Sequence, residues 1–251
     1  MKQIEMDVTT LAYDHCSSDY VTKRLKKLSL FNDYIEAPAI REILSTYGKL
    51  ENKYVLDVGC GPGIYSKSFY SMGANVVAID PSEKMIEVAK NYCSSAQRKG
   101  NTIEFIPLKL ENFNTERKFS LVFATFMLGY FDDLEYSFNK MRNLLGESGK
   151  IITSSLHPER MFAVGRDDNG YILGDKNRKS LYEADFLGSG AVINLVKHSF
   201  EDVVNSANAA GLKINKIKEP LLDPYCLYPE KDKVEFYSKN HSVVIFELSR
   251  K

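Results

Sequence analysis

The feature that most constrains this chain is the run VLDVGCGPG at residues 55–63. Short apolar residues around Asp57 lead into glycines at positions 59, 61 and 63, and residues 64–70 have helical rather than alternating character. Glycine adopts a positive φ at little steric cost and lets a ligand approach the main chain closely. A buried strand, a glycine turn and the N-terminus of a helix together predict a cradle for a nucleotide-type ligand.

The spacing of the three glycines narrows the choice of ligand. The dinucleotide fingerprint G-x-G-x-x-G needs a third glycine for helix–strand packing, and that position is occupied by Ile64 here. A triphosphate-binding loop needs Gly-Lys followed by Ser or Thr, which this run lacks. The turn is therefore not built for a pyrophosphate or a triphosphate. A tight strand–helix turn without any ligand is the alternative interpretation.

Length and composition predict a single globular domain over residues 1–251. Apolar residues make up 44% and charged residues 26% of the chain, which are ordinary values for a globular protein. Lys plus Arg equals Asp plus Glu, so no basic excess is available for general binding to a nucleic-acid backbone. The longest apolar run, residues 121–131, is too short to span a bilayer, and we do not expect the acidic N-terminal residues to form a signal peptide. We expect no membrane partner.

The cysteines and potential metal ligands are scattered. Cysteines occur at positions 16, 60, 93 and 226, and no two of them form a C-x-x-C pair. This usage predicts reduced thiols in a cytoplasmic protein and no zinc site. Carboxylates and histidines show no ligand spacing either, so no metal is predicted.

Strand and helix patterns alternate through most of the chain. Residues 8–50 are predicted to be helical, with Pro38 in the first turn of a helix that stops at Gly48. Gly73 and Gly146 lie where helix C-caps are expected. The alternation predicts an α/β fold, a parallel sheet with helices on both faces. The predicted strands are 53–58, 75–80, 102–107, 119–125, 149–155, 212–218 and 242–249, and the predicted helices are 64–72, 82–98, 133–145 and 199–210, the last ending at Gly211.

Two long connections fall outside this alternation. Residues 157–198 lie after the fifth strand, and residues 220–240 lie between the last two strands. Long connections in compact α/β domains are usually functional, and ligands bind beyond the carboxyl ends of the strands. We therefore expect both segments, with the N-terminal helices, to form a lid over an acceptor pocket; their aromatic residues can alternatively serve only to pack that lid. The aromatic residues in question are Phe162, Tyr171, Tyr182, Phe186, Tyr225, Tyr228, Phe236 and Tyr237.

The run at residues 55–63 resembles motif I of the class I S-adenosylmethionine-dependent methyltransferases, whose turn passes under the amino-acid end of the cofactor. The resemblance extends from about residue 10 to the C-terminus and is closest to members that methylate small molecules. It implies a Rossmann-like, seven-stranded methyltransferase sheet that is mostly parallel, with an antiparallel last strand beside the sixth. It also implies a helical N-terminal cap over residues 1–50 and lid insertions.

Asp80 is the strongest candidate outside the glycine turn for binding the cofactor. It ends the second predicted strand, 17 residues after Gly63, and that spacing is the one found in the family. A carboxylate at this strand tip can accept hydrogen bonds from both hydroxyls of a ribose. Capping of the next helix is the alternative role for Asp80, but Ser82 can fill it. The resemblance adds Pro81 and Met85, the latter as a cover for the adenine.

Further cofactor contacts follow from the resemblance. Asp57 is expected to organise the turn and the amino group of the cofactor, together with Gly59, Gly61 and Gly63. Lys109 stands where relatives place an Asp for the adenine, so the backbone N–H of Leu110 and the carboxylate of Glu111 are expected instead. Thr125 and Phe126, after the fourth strand, are expected to contact the cofactor through backbone atoms. Tyr13 and Tyr20 can close over the carboxylate of the cofactor, or simply pack on the helix surface.

Two histidines are candidate catalytic residues. His157 directly precedes a proline at the end of the fifth strand, and the proline holds it extended. Imidazole has a near-neutral pKa that suits removal of a proton from an acceptor. His198 is the second candidate, and for both a purely structural role is the alternative. Gly129 stands where many relatives carry a histidine, which removes one base and leaves room beside the pocket.

The resemblance implies methyl transfer from S-adenosyl-L-methionine to an oxygen, nitrogen or carbon nucleophile of a small molecule, by a monomer or homodimer. One alternative is an RNA or protein methyltransferase, although no Asn/Asp-Pro-Pro-Tyr/Phe tetrapeptide follows the fourth strand. A non-catalytic, cofactor-binding regulatory module is another alternative. The third is a fold relative that uses the cofactor only to shape a pocket for a different reaction.

Overall fold

The structure is a computed structural model that describes residues 8–15, 17–96, 100–158, 165–166, 172–173, 182–185 and 192–251. The predictions that concern Cys16 and the lid residues Phe162, Tyr171 and Phe186 lie outside these residues. Eleven strands are present in the described part: β1 (Tyr54–Val58), β2 (Asn75–Ile79), β3 (Ile103–Ile106), β4 (Phe119–Ala124), β5 (Leu145–Leu156), β6 (Gly165–Arg166), β7 (Ile172–Leu173), β8 (Tyr182–Asp185), β9 (Val192–Leu195), β10 (Leu212–Lys218) and β11 (Val243–Arg250).

The helices flank these strands as the alternation predicts. The described α-helices are α1 (Val8–His15), α2 (Ser17–Leu25), α3 (Ala37–Ser45), α4 (Ile64–Ser71), α5 (Glu83–Cys93), α6 (Leu134–Leu144), α7 (Phe200–Ala209) and α8 (Lys231–Tyr237). A π-helix, Leu30–Glu36, precedes α3, and 3-10 turns occupy Leu110–Asn112 and Leu128–Tyr130. Over the described ranges, every helix is too short or too polar to traverse a lipid bilayer.

Seven strands form the central sheet, in the order β10-β11-β5-β4-β1-β2-β3. The pairs from β5 to β3 are parallel, whereas β11 runs antiparallel to both of its neighbours, β10 and β5. The Rossmann-like, seven-stranded methyltransferase sheet, mostly parallel with an antiparallel last strand, is therefore confirmed. β6 pairs with β7, and β8 with β9, in two small antiparallel hairpins outside the sheet.

Burial on both faces explains the continuous apolar runs of the central strands. Successive residues of β1 point to opposite faces of the sheet, so Val55 packs in one hydrophobic cluster and Leu56 in the other. Helices cover both faces of the sheet because both faces must be shielded from water. The carboxyl ends of the parallel strands are thereby left as the accessible edge of the sheet.

Two element boundaries differ from the prediction by four or five residues. α5 ends at Cys93 rather than near residue 98. β5 begins at Leu145 rather than at 149, because Leu145 is buried and already pairs with Phe119 of β4. Gly146 therefore lies inside β5 and is not a C-cap, so that prediction was wrong. Gly73 does follow its helix with a φ of 91°, as expected of a C-terminal glycine.

Candidate active site

A cavity of about 530 Å³ lies at the carboxyl ends of β1, β2 and β4. This is the edge at which α/β sheets bind ligands, and the volume is within the range of small-molecule sites. Its wall combines the glycine turn, the end of β2, residues 108–112, residues 125–132 and parts of α1 and α2. The tertiary structure thus gathers segments that are far apart in the chain around one cavity.

The glycine turn forms one side of the cavity. Gly59, Gly61 and Gly63 have φ values of 67°, 50° and 79°, a region that favours glycine. A Cβ atom on Gly59 would lie 2.2 Å from Sδ of Met127, and one on Gly63 would lie 3.0 Å from Cβ of Ala89. A Cβ on Gly61 would meet only a ring carbon of Tyr20, at 3.9 Å. Gly59 and Gly63 thus permit close packing, whereas the main chain at Gly61 is accessible from the cavity.

Asp80 extends from the end of β2 into the wall of the same cavity. Its Oδ2 accepts a hydrogen bond from the Gly61 N–H and its Oδ1 accepts one from the Ser82 N–H, both at 2.9 Å. Each carboxylate oxygen can accept a second hydrogen bond, so capacity remains for a ligand. Burial raises the pKa of Asp80 to about 6. Ser82 is the side-chain N-cap of α5, since its Oγ accepts a hydrogen bond from the Met85 N–H at 3.0 Å.

Asp57 lies beneath the glycine turn rather than in the cavity wall. Its Oδ2 accepts a hydrogen bond of 2.6 Å from the Ser66 hydroxyl, which ties β1 to α4 across the turn. Burial raises the pKa of Asp57 to about 7. The side chain of Met85 is fully buried. Asp57, Met85 and Gly63 are not among the described residues that line the cavity.

The other cofactor candidates are brought together. Tyr20, Gly59, Pro81, Leu110, Glu111, Thr125 and Phe126 all line the cavity with Gly61 and Asp80. Leu110 and Glu111 stand on a 3-10 turn after β3. Phe126, at the tip of β4, has a φ of 53°, a left-handed conformation that is uncommon for a bulky residue.

The N-terminal helices contribute residues that the sequence reasoning missed. Arg24 and Asn32 line the cavity, and the buried guanidinium of Arg24 pairs with Asp33 at 2.5 Å. Arg24 lies one helical turn after Tyr20, so the i, i+4 spacing was a signal that could have grouped them. Tyr13 lines the cavity as well, and its ring meets that of Tyr20 edge-on at 5.7 Å.

Neither candidate histidine is among the described residues of the cavity wall. His157 donates its backbone N–H to the Ser242 carbonyl, and its Nε2 lies 2.6 Å from Oε1 of Glu219. The ring of His157 thus pairs with Glu219 and does not line the cavity. Nε2 of His198 lies 2.9 Å from the carbonyl oxygen of Phe131, a wall residue. His198 thus stands directly behind the wall, and a catalytic role for either histidine stays a prediction.

The room expected beside Gly129 is filled. A Cβ on Gly129 would lie 3.2 Å from Cδ2 of Leu195 on β9, and the Val196 N–H donates to the Gly129 carbonyl at 2.7 Å. The chain after β9 therefore supports the wall at residues 129–131. The expectation of free space at this position was wrong, because a side chain from a distant segment occupies it.

The segment 220–240, expected to be part of a lid, packs on the π-helix. The Asp223 N–H donates to the Tyr34 carbonyl at 2.9 Å, and the ring of Tyr237 meets that of Phe31 at 5.2 Å. All of this segment is described, and none of its residues lines the cavity. A lid role for residues 220–240 stays a prediction.

The sequence of residues 55–149 matches a family model described as a methyltransferase domain. Among curated proteins, the chain is 29% identical over 140 residues to the ubiquinone biosynthesis O-methyltransferase of Pelagibacter ubique, covering 53% of this chain and 57% of that protein. It is 30% identical over 120 residues to malonyl-[acyl-carrier protein] O-methyltransferase 1 of Ilyobacter polytropus, covering 47% of this chain and 43% of that protein. The chain thus spans about half the length of these curated relatives.

Solved structures share the fold over most of the chain. An S-adenosylmethionine-dependent methyltransferase from Mesorhizobium loti superposes with a TM-score of 0.63 and 21% identity, covering 86% of this chain and 97% of that one. Magnesium protoporphyrin IX methyltransferase from Synechocystis, solved with bound SAH, superposes with a TM-score of 0.64 and 18% identity, covering 98% of this chain and 100% of that one. Residues 55–149 therefore match the methyltransferase domain family, and the chain has the class I S-adenosylmethionine-dependent methyltransferase fold.

Proposed function

We propose that this protein transfers the methyl group of S-adenosylmethionine to a nucleophilic atom of a small-molecule acceptor. The observation that carries the proposal is the pairing of Gly61 and Asp80 in one cavity wall. The Gly61 N–H is held by Oδ2 of Asp80 at 2.9 Å, while the α-carbon of Gly61 has open space beside it. An empty turn would require neither the open main chain nor a carboxylate with remaining acceptor capacity.

The residues present fit the cofactor that the family uses. Asp80 offers acceptors for the two ribose hydroxyls, and Gly61 lets the ligand approach the main chain. Leu110 and Glu111 lie in the same wall and are the candidates for contact with the adenine. When bound, S-adenosylmethionine supplies a methyl group that is already activated on a sulfonium centre.

The chain itself then has to position the acceptor and exclude water. Holding two reactants in line removes much of the entropic barrier, and a closed site prevents side reactions with solvent. Tyr13 and Tyr20, from α1 and α2, cover the cavity from the N-terminal side. A general base is needed only for a hydroxyl or a charged amine. His157 and His198 remain candidates for that step, and each would have to move to reach the cavity.

The relatives support an oxygen nucleophile, because both curated proteins named above are O-methyltransferases. The neutral overall charge argues against RNA as the general acceptor. A non-catalytic binding module is the second candidate, since the same cavity would serve it equally well.

The test is methyl transfer with purified protein. Methyl-labelled S-adenosylmethionine is incubated with the low-mass fraction of a cell extract, and separately with its RNA and its protein. We expect a labelled low-mass product and release of S-adenosylhomocysteine. Asp80→Asn should lose this activity, whereas Asp232→Asn, at an exposed position on α8, should retain it. Label found only in RNA or protein, or tight S-adenosylhomocysteine binding without any transfer, would overturn the proposal.

A further inference from the structure

Glu36 is a carboxyl group buried under the wall of the cavity. It ends the π-helix Leu30–Glu36, and the residue has no exposed surface. A buried carboxyl must be compensated by hydrogen bonds or by neighbouring charge. Here both oxygens have partners on other elements, because Ser154 donates to Oε1 and the Tyr65 hydroxyl lies 3.4 Å from Oε2. Glu36 therefore joins three elements that are distant in the chain.

The contact through Ser154 reaches the tip of β4. Oγ of Ser154, a fully buried residue of β5, accepts a hydrogen bond of 2.7 Å from the Phe126 N–H while it donates to Glu36. The hydroxyl of Ser154 is thus oriented from one side by Glu36, and it holds the main chain of Phe126 on the other. The neighbouring Thr153 hydroxyl donates to the Ala124 carbonyl at 2.8 Å. Side chains of β5 therefore make two hydrogen bonds to the main chain at the end of β4.

Phe126 is the residue that needs such support. Its φ of 53° is unusual for a residue with a large side chain. Such backbone conformations persist only where surrounding structure determines them, and they cluster at ligand-binding sites. Phe126 also lines the cavity. The hydrogen bond that the Phe126 N–H donates to Ser154 Oγ therefore stabilises a strained residue at the ligand-facing end of β4.

The second oxygen of Glu36 faces another wall residue. Tyr65, on α4, lines the cavity, and its ring packs against Phe123 of β4 with the centroids 4.7 Å apart. Its hydroxyl interacts with Glu36. One buried carboxyl thus connects, directly or through Ser154, to two aromatic residues of the cavity wall.

We propose that Glu36 is a positioning residue, which holds Phe126 through Ser154 and Tyr65 directly, and so shapes the cavity wall at the β4 tip for the adenosyl ligand. The identity of that ligand rests on the proposed function, whereas the link from Glu36 to Phe126 does not. Buried polar groups rarely improve stability over apolar ones, so a role in defining the geometry of the wall explains the use of a carboxyl here.

Two measurements on the same variants test this proposal. The first is the amide hydrogen exchange of Phe126 by NMR, and the second is the affinity for S-adenosylhomocysteine by calorimetry. The variants are Glu36→Ala, Glu36→Gln and Ser154→Ala. The matched control is Glu247→Gln, which changes another buried carboxyl. Oε1 of Glu247 lies 2.8 Å from Nζ of Lys150, and neither residue lines the cavity.

We expect Ser154→Ala and Glu36→Ala to raise the exchange rate of Phe126 by about fivefold, the factor that corresponds to one hydrogen bond. Affinity for S-adenosylhomocysteine should fall by a similar factor. Glu36→Gln should resemble the wild type, because its amide keeps an acceptor for Ser154 and a group that can bond to Tyr65. The double variant of Glu36→Ala and Ser154→Ala should raise the exchange rate of Phe126 no further than Ser154→Ala alone, since both residues act on Phe126 through one chain of contacts.

The proposal is overturned if Phe126 exchanges at the wild-type rate in a folded Glu36→Ala protein, or if its faster exchange leaves the affinity unchanged. If Glu36→Ala does not fold, the comparison of Ser154→Ala with Glu36→Gln decides by the same criteria. If the wild type itself does not bind S-adenosylhomocysteine, the proposed function fails. The exchange rates then still decide the link between Glu36 and Phe126.

Discussion

Tyr13 and Tyr130 share a hydrogen bond of 2.7 Å between their hydroxyl oxygens, although 117 positions separate them in the chain. Tyr13 lies on α1 and Tyr130 on the 3-10 turn after β4, and both line the cavity. Burial raises the pKa of Tyr13 well above its usual value, so the hydroxyl stays neutral over the physiological range. This hydrogen bond therefore joins the N-terminal helix α1 to the turn after β4 at the wall of the cavity.

A double-mutant cycle on this pair should show coupling between the two hydroxyls. We expect Tyr13→Phe and Tyr130→Phe each to speed dissociation of S-adenosylhomocysteine by about fivefold, because each removes the same hydrogen bond, typically about 1 kcal/mol. The double variant should dissociate no faster than either single one. Stopped-flow displacement measures the rates, with Tyr136→Phe at an exposed position on α6 as the control. Strictly additive effects would show that the two hydroxyls act separately.

Asp80→Asn should weaken S-adenosylhomocysteine binding by roughly ten- to a hundredfold, the range expected for hydrogen bonds to a charged group. Both carboxylate oxygens of Asp80 accept from backbone N–H groups, so the amide of Asn would turn a donor toward a donor. Calorimetry measures the loss, with Asp232→Asn as the matched control. Unchanged affinity would exclude Asp80 from the ligand site.

Binding should also depend on pH through Asp80. Burial, with a smaller contribution from the charge of Asp14, raises the pKa of Asp80 to about 6. Ribose hydroxyls favour the charged carboxylate, so affinity for S-adenosylhomocysteine should fall as the pH drops through 6. Calorimetric titrations across this range, repeated with Asp80→Asn, check the origin of the effect. The variant should lose the dependence; if it keeps the same slope, another group is responsible.

Glycine substitutions should separate backbone strain from close packing. Gly59 and Gly48 have nearly the same φ, 67° and 66°, but only a Cβ on Gly59 would collide with Met127. Gly48→Ala should cost about 1 kcal/mol of unfolding free energy through backbone strain alone. Gly59→Ala should lose about 1–3 kcal/mol more through overpacking. Urea unfolding measures both, and equal losses would show that the Met127 contact is unimportant.

Stability should decrease as the pH rises through the titration of the buried carboxyls. Burial raises the pKa of Glu36 from 4.5 to about 7 and that of Asp57 from 3.8 to about 7. Between the unfolded and folded pKa values, the folded state therefore keeps protons that the unfolded chain has released. The free energy of unfolding falls as the pH rises across that interval. Urea unfolding at about pH 5 and about pH 8 should show the difference, and Glu36→Gln should reduce it. A stability that stays constant or increases over this range would show that these two carboxyls do not keep extra protons in the folded protein.

The sheet and the glycine turn were predictable because their signals are local. The run at residues 55–63 specifies a strand, a turn with positive φ and a helix start, and each depends on neighbouring residues alone. The boundary at Leu145 was missed because Gly146 has the local signature of a C-cap. Pairing of Leu145 with Phe119 in the sheet extends the strand through that glycine instead.

The amino-acid sequence by itself determined the fold class and one wall of the cavity, through the glycine turn and Asp80. Only the tertiary structure decided which distant side chains complete that cavity. It joined Tyr13 to Tyr130 and Glu36 to Ser154, and it directed His157 toward Glu219. Periodicity and motif spacing describe the main chain over one element and its neighbours. Hydrogen bonds between separate elements depend on how those elements pack, and a linear pattern does not contain that information.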